Sequence, residues 1–557
     1  MVLGDADTQF KYTLCCYFRS KDFFPERCWA GAEGFRFRMC AAALSRSSCL
    51  RPVLLSLLLA TLWRVNPRRV AGGGIVVVVA TQGGPNSWDA LSCDTLTNGG
   101  GLPLRAADLW KAGGRPHVTA ADCHLSGNAS IVFDLSFPVE TARDPAALQR
   151  QRRRLTLSGW TVADNATLTF TASGRWLRDV EVWIVGITAE IRAGCRDGGV
   201  GVEFLSFAAD RITNAVLHVE ASKISVASAC KISVASMLAS QVVGSIISLQ
   251  GNINDENGRP VASGSVVESF IKASAAAGGT AIVGGIGLHL GGGGEEQVVS
   301  DSILLAGPGV MLDATASGGA TAVLSITVMS EATAVGTRVT RTMILCRNST
   351  LQTSTTGSAV AVAASLLVTR GALTVTDLSV VLDDASSVGS AAMGGTAFVG
   401  SVTCITGTVS FVNISGLVIV ARTSILQASS AGYVTSALAV TVNYGAGPLI
   451  ARNVVIACYD CQITVSSISY ASAVSLTTNA QTNDLVTSDV SLLVFRALVM
   501  VNTSKDFASA LMIGAVTFPK TVSVTNVTLA AVDSAVWCTA GDAFATAVAV
   551  HAAEFGE

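Results

Sequence analysis

From Leu155 onward the chain alternates apolar residues with small polar ones in runs of about four to six. Examples are Leu155-Thr-Leu157, Val180-Glu-Val-Trp-Ile184, Val216-Leu-His-Val219, Val454 to Ala457, Ile463 to Val465 and Ala473 to Leu476. A period of two predicts strands that bury one face and wet the other. Gly, Ser, Asn and Asp stand between the runs and predict turns.

The runs recur. A small hydroxyl residue or Gly, then Ala, then an apolar residue returns with Ala at 281, 322, 359, 397, 437, 473, 510 and 547, at spacings of 41, 37, 38, 40, 36, 37 and 37. A polar residue before an alternating apolar run returns at Asp301, Arg341, Asp377, Asn413, Asn453, Asp489 and Asn526, with Asp179 and Asn214 as earlier copies. Two phrases locked to one period indicate stacked supersecondary units rather than one globular core. Each period holds three short strands, too little to bury a core alone, but coils stacked in parallel about 4.8 Å apart enclose a continuous apolar column. The fold class expected is all-β, a parallel β-helix or β-solenoid built from repeats of about 38 residues, one three-strand coil per period. A string of β-sandwiches is the runner-up, but it needs about 100 residues per unit. The recurrent Ala suits a narrow inward corner, and the Asn or Asp suits a turn or an internal ladder of amides. The register stumbles once, because Asn214 and Asp301 are 87 residues apart. Here Lys-Ile-Ser-Val-Ala-Ser occurs twice, at 223–228 and 231–236, which reads as slippage that extended one loop or coil.

Composition narrows the class. Charged residues are 14% and aromatic residues 6%, with a formal charge of −2 and no long block of one sign. That excludes an electrostatic case for nucleic acid or an anionic membrane as partner. Val53 to Trp63 is an apolar run too short to span a bilayer and fits a signal-peptide core, with Met39 as a candidate true start and cleavage within Ala71 to Gly74; an uncleaved anchor is the alternative. The expected organisation is an N-terminal extension and signal peptide at 1–74, a loop-rich capping region at 75–154 and the repeat array at 155–557. Within the capping region, Ile75 to Ala80 reads as a buried strand, and Arg150 to Arg154 as an exposed basic loop. The array stops directly after its eighth Ala phrase, which reads as the N-terminal piece of a longer polypeptide or a truncated copy.

Candidate chemistry is sparse. Six Asn-x-Ser/Thr sequons lie at Asn128, Asn165, Asn348, Asn413, Asn502 and Asn526. Behind a signal peptide they are glycan sites. Asn413 and Asn526 coincide with repeat anchors, so Asn128, Asn165, Asn348 and Asn502 rank higher. Cys458 and Cys461 have redox spacing without a βαβ context, and an exposed turn disulfide or structural thiols is the simpler account. His218 alternates with Leu217 and Val219 and reads as a surface strand residue. Gly291 to Gly294 is a turn, since no Gly-Lys-Ser/Thr follows. Asp383-Asp384 is the one carboxylate pair that would suit a glycan-cleaving site. No cofactor or metal is expected.

The phrases Leu157-Ser-Gly-Trp-Thr-Val-Ala-Asp-Asn-Ala-Thr167, Leu449-Ile-Ala-Arg-Asn-Val-Val-Ile-Ala-Cys458 and Ser87-Trp-Asp-Ala-Leu-Ser-Cys93 resemble the dispersed gene family of trypanosome surface proteins, over about residues 70 to 557. The resemblance implies a long surface glycoprotein with spans near its C-terminus and a proposed role in attachment to host cells or matrix. This sequence has no Arg-Gly-Asp and no C-terminal apolar span, and the family supplies no catalytic residues. The expected function is a secreted or surface-displayed repeat glycoprotein, adhesin-like or a variable coat component. Its expected partner is a host-cell surface or extracellular-matrix protein or a glycan. Membrane attachment would come only through a missing C-terminal portion or an uncleaved N-terminal anchor. The alternatives are a β-helix polysaccharide lyase or glycoside hydrolase, and a non-functional truncated copy.

Overall fold

The computed structural model is all-β and coils as a parallel solenoid with a spacing of about 37 residues. It describes residues 89–91, 104–105, 117–127, 130–135, 153–164, 166–171, 176–194, 201–251, 269–276, 278–288, 295–330, 335–384, 386–432, 434–443, 447–480, 484–517 and 521–554. The signal-peptide segment, Met39, the run from Ile75 to Ala80, Cys93 and Gly291 to Gly294 lie outside these residues.

One turn illustrates the coil. Leu449–Tyr459 bends at Asn453, and its part after the bend is the first face. Gln462–Ser467 is the second face and belongs to a separate 12-stranded sheet. Tyr470–Ala480 is the third. Each strand pairs in parallel with its equivalent one turn on: Val454 with Val490, Gln462 with Leu498, Ser472 with Ser509. Val454, Ile456, Ile463, Val465, Val474 and Leu476 point inward and are fully buried, so every turn adds one layer to a single core. Near the N-terminus that core is bulkier, with Phe133 stacked on Phe170 at a centroid distance of 5.6 Å and Phe170 meeting Phe207 edge to face at 5.5 Å. Stacking begins within the capping region, because Asp89–Leu91 pairs with His117–Ala121, which pairs with Arg153–Ser158.

The polar anchors are corners. Asp179, Asn214, Gly244, Asp301, Arg341, Asp377, Gly416, Asn453, Asp489 and Asn526 all have φ between 46° and 65°, the left-handed region that Gly, Asn and Asp enter at least cost. A second column, between the first and second faces, runs through Asn348, Asp384, Thr423, Asp460, Arg496 and Asp533. Two expectations change here. Asn413 is not an anchor: it is a half-buried mid-strand residue paired with Thr374 and Ile450, and Gly416 takes the corner three residues later. A Cβ at Gly416 would stand 2.5 Å from Asp377 Oδ1, so the small residue also makes room for the corner side chain one turn away. The ladder these residues form is external, not internal: Asn214 Nδ2 donates to Asp179 Oδ1 at 3.0 Å, and Asp489 and Asn526 are exposed.

The Ala phrase occupies three positions rather than one, for Ala322 pairs with Ile282 and Val360, one residue past the start of the third face. Ala359 and Ala397 pair at the start of the third face, whereas Ala437, Ala473 and Ala510 sit two residues further on, where the ladder is interrupted; Ala397 pairs with Thr435. In earlier turns the interruption falls at Ala235, Gly284 and Leu324, with φ of 53°, 66° and 50°. Ser436 Oγ lies 2.5 Å from Ser472 Oγ and 2.9 Å from Ser475 Oγ. Side chains three apart on a straight strand point oppositely, so their convergence places them inside a bend. The start and the interruption both hold a small buried residue, which is why one motif covers them, whereas Ala322 is half-buried. The stumble in register contains a whole extra turn with Gly244 at its corner, and the duplicated hexapeptides lie on different faces, in Lys223–Ser228 and Ile232–Ala239. They are not a loop extension.

Candidate functional site

Four of the six sequon asparagines are described; Asn128 and Asn165 lie outside the described residues. Asn348 is exposed at a left-handed corner. Asn502 is exposed on the second face, its Oδ1 accepting from Thr539 Oγ1 at 2.6 Å. Asn526 is an exposed corner whose Nδ2 donates to Asp489 Oδ1, and Asn413 is half-buried. Cys458 and Cys461 are joined by a disulfide across the corner at Asp460, with Cα atoms 6.1 Å apart. Both are buried, so this bond sits inside the coil rather than on an exposed turn.

The titratable groups engage one another along the stack. Arg347 Nε donates to Asp384 Oδ2 at 2.5 Å, which ties up one member of the Asp383-Asp384 pair. Arg341 grips Asp301 through Nε and Nη2 at 2.6 and 2.8 Å, and that hydrogen bond holds the Asp301 carboxyl below its usual range. Arg496 holds Asp460 through Nη2 alone, at 2.6 Å. Arg153 and Arg154 are not in a loop: they open a strand, and the Arg154 guanidinium lies 3.6 Å from the centre of the Trp183 ring. His218, expected at the surface, is only 7% exposed because it packs on Trp183 at 4.2 Å, with Nε2 3.2 Å from Glu220 Oε2. Trp183 therefore contacts Arg154 and His218 from successive turns. Among the free thiols, burial pushes Cys404 up to about 12 and Cys538 up to about 11, far from thiolate chemistry at neutral pH. Among the described residues no group of three or more His, Cys, Asp or Glu gathers as a metal site would.

The distinctive surface is the second face. Its strands alternate strictly, as in the exposed-buried pattern of Ile425–Ser430 and Gln462–Ser467. Earlier turns carry Glu190, Arg192, Lys272 and Asp313 outward. From Thr350–Thr355 to Ala535–Thr539, six strands present three outward residues each, and none of these 18 is charged. Depletion of charge over such an area marks the centres of contact surfaces. Along one edge runs a groove of about 720 Å³, with a floor of Thr315, Ser354, Ala391, Ser429 and Ser466 and a wall that includes Met393 and Ile468. Met393 is 70% exposed. Sequence reasoning missed this groove, although the column of small residues at the penultimate position of each second-face strand was its signal.

Comparison with protein-family models, curated proteins and solved structures finds no match. A neutral, hydroxyl-lined face repeated turn after turn can make many weak contacts at once.

Proposed function

We propose that the protein is a secreted or surface-displayed repeat glycoprotein, adhesin-like or a variable coat component, that engages a host-cell surface or matrix protein or a glycan. The observation that carries this reading is the uncharged second face, a long flat surface whose depletion of charge suits contact rather than turnover. The exposed sequons Asn348, Asn502 and Asn526 support passage through a secretory route, and the resemblance to the dispersed gene family of trypanosome surface proteins agrees with it. The test is to produce the chain in a secretory host and coat it on beads. We expect glycosylated protein in the medium and beads that bind cells or matrix, with binding weakened at least tenfold by Gln427→Glu together with Thr464→Lys on the second face. Unglycosylated protein retained inside the host, or coated beads no stickier than bare ones, would overturn the reading.

A further inference from the structure

We propose that the groove beside the second face is the bed of an N-linked glycan carried by this chain's own Asn502, an inference that rests on the secretory reading. The parallel register places Asn502 next in the groove's floor column: Ser354 pairs with Ala391, Ala391 with Ser429, Ser429 with Ser466, and Ser466 with Asn502. Asn502 is exposed and begins the sequon Asn502-Thr503-Ser504. Its Oδ1 is turned to Thr539 on the following turn, and Nδ2, the nitrogen that carries a glycan, makes no hydrogen bond among the described residues. Thr539 flanks Asn502 on one side, and on the other stands Ser466, the last floor residue of the groove. Asn526 differs, because its Nδ2 is held by Asp489, and Asn348 lies at a corner that does not line the groove.

The chemistry of the groove fits a neutral saccharide. Four steps of about 4.8 Å separate Ser466 from Thr315, so the floor runs about 19 Å along the axis, room for several sugar units in line. Hydroxyls of Thr315, Ser354, Ser429 and Ser466 meet sugar hydroxyls, while Met393 and Ile468 meet the apolar ring faces; the lining holds no charged residue. Attachment joins Nδ2 to the anomeric carbon of an oligosaccharide donated from a lipid pyrophosphate. The C–O bond to the pyrophosphate breaks, the pyrophosphate leaves with its oxygen, and Nδ2 loses one proton. The test uses the full chain from a secretory host: glycopeptide mapping, then release of each glycan by an N-glycosidase from the native protein. We expect Asn502 to be occupied and released at least tenfold more slowly than Asn348, with Ala391→Arg, a change at an exposed position, abolishing the difference. Occupancy at other sequons but not at 502, or equal release rates at 502 and 348, would overturn the inference and leave the secretory reading standing. Absence of glycan at every sequon would overturn both.

Discussion

The same six residues, Lys-Ile-Ser-Val-Ala-Ser, build two different structures in consecutive strands. At 223–228 they form a flat second-face strand whose outward Ser225 and Ala227 remain partly open to solvent. At 231–236 they enter the third face, where every residue from Ile232 to Ser236 is buried and Ala235 adopts φ of 53°. Ser236 there lies 2.7 Å from Ser206 Oγ one turn away, while Ser228 accepts from the nearby amide of Cys230 at 3.1 Å. Local sequence is identical, so the difference comes from what each strand stacks upon. Lys223–Ser228 pairs with straight strands, whereas the second copy joins Ala281–Leu288, which carries its own left-handed residue at Gly284.

The two copies can be set against each other directly. Ala235→Val puts a β-branched residue into a left-handed position and overfills the bend, which together should cost about 2–4 kcal/mol. Ala227→Val, on an outward position of a flat strand, should stay within about 0.5 kcal/mol, and the urea midpoints of the two variants measure the gap. Glycine should then reverse the sign. Ala235→Gly relieves the left-handed backbone and should stabilise by up to about 1 kcal/mol, while Ala227→Gly should destabilise by roughly the same amount. Ser236→Ala removes the contact with Ser206 one turn away and should cost about 1 kcal/mol, whereas Ser228→Ala at the matching position removes only a local bond from the Cys230 amide and should cost about half as much. Equal effects at matching positions in any of these pairs would show that the bend imposes no separate demand.

The smallest effect belongs to the corners. Arg341 lowers the Asp301 carboxyl below its ordinary value of 3.8, so the pair contributes stability above that value and loses it as pH falls through the depressed folded value. Because both side chains are substantially exposed, Arg341→Ala should flatten this acid limb only slightly, read from urea midpoints between pH 2 and 5.

Much of the fold was legible because αL corners favour a short list of residues. Asp301, Asp377, Asn453, Asp489 and Asn526 announce themselves, and even Arg341 does so by spacing. Gly416 was missed because glycine meets the same backbone demand without the polar side chain the motif looked for, and the nearby Asn413 filled the gap in the pattern. The second corner column was harder still, since Thr423 and Arg496 are not corner-formers by propensity; there the stack overrides the residue. The candidate site was nearly invisible. Its floor is made of Ser, Thr and Ala, residues that fit any outward strand position, and only the register that aligns Ser354, Ala391, Ser429, Ser466 and Asn502 turns them into a surface.

The strict turn-on-turn pairing has a mechanical consequence. Strand ladders here join a turn to the one before it and the one after it, as Gln462–Ser467 joins Ile425–Ser430 and Leu498–Thr503. Tension applied at one end would shear a single turn's ladders at a time, in the manner of a zipper. Each event would release about 37 residues, or about 120–130 Å of contour length. The molecule would thus yield in even, repeated steps and absorb work over a long extension instead of failing once, a useful property in anything that holds a surface under flow.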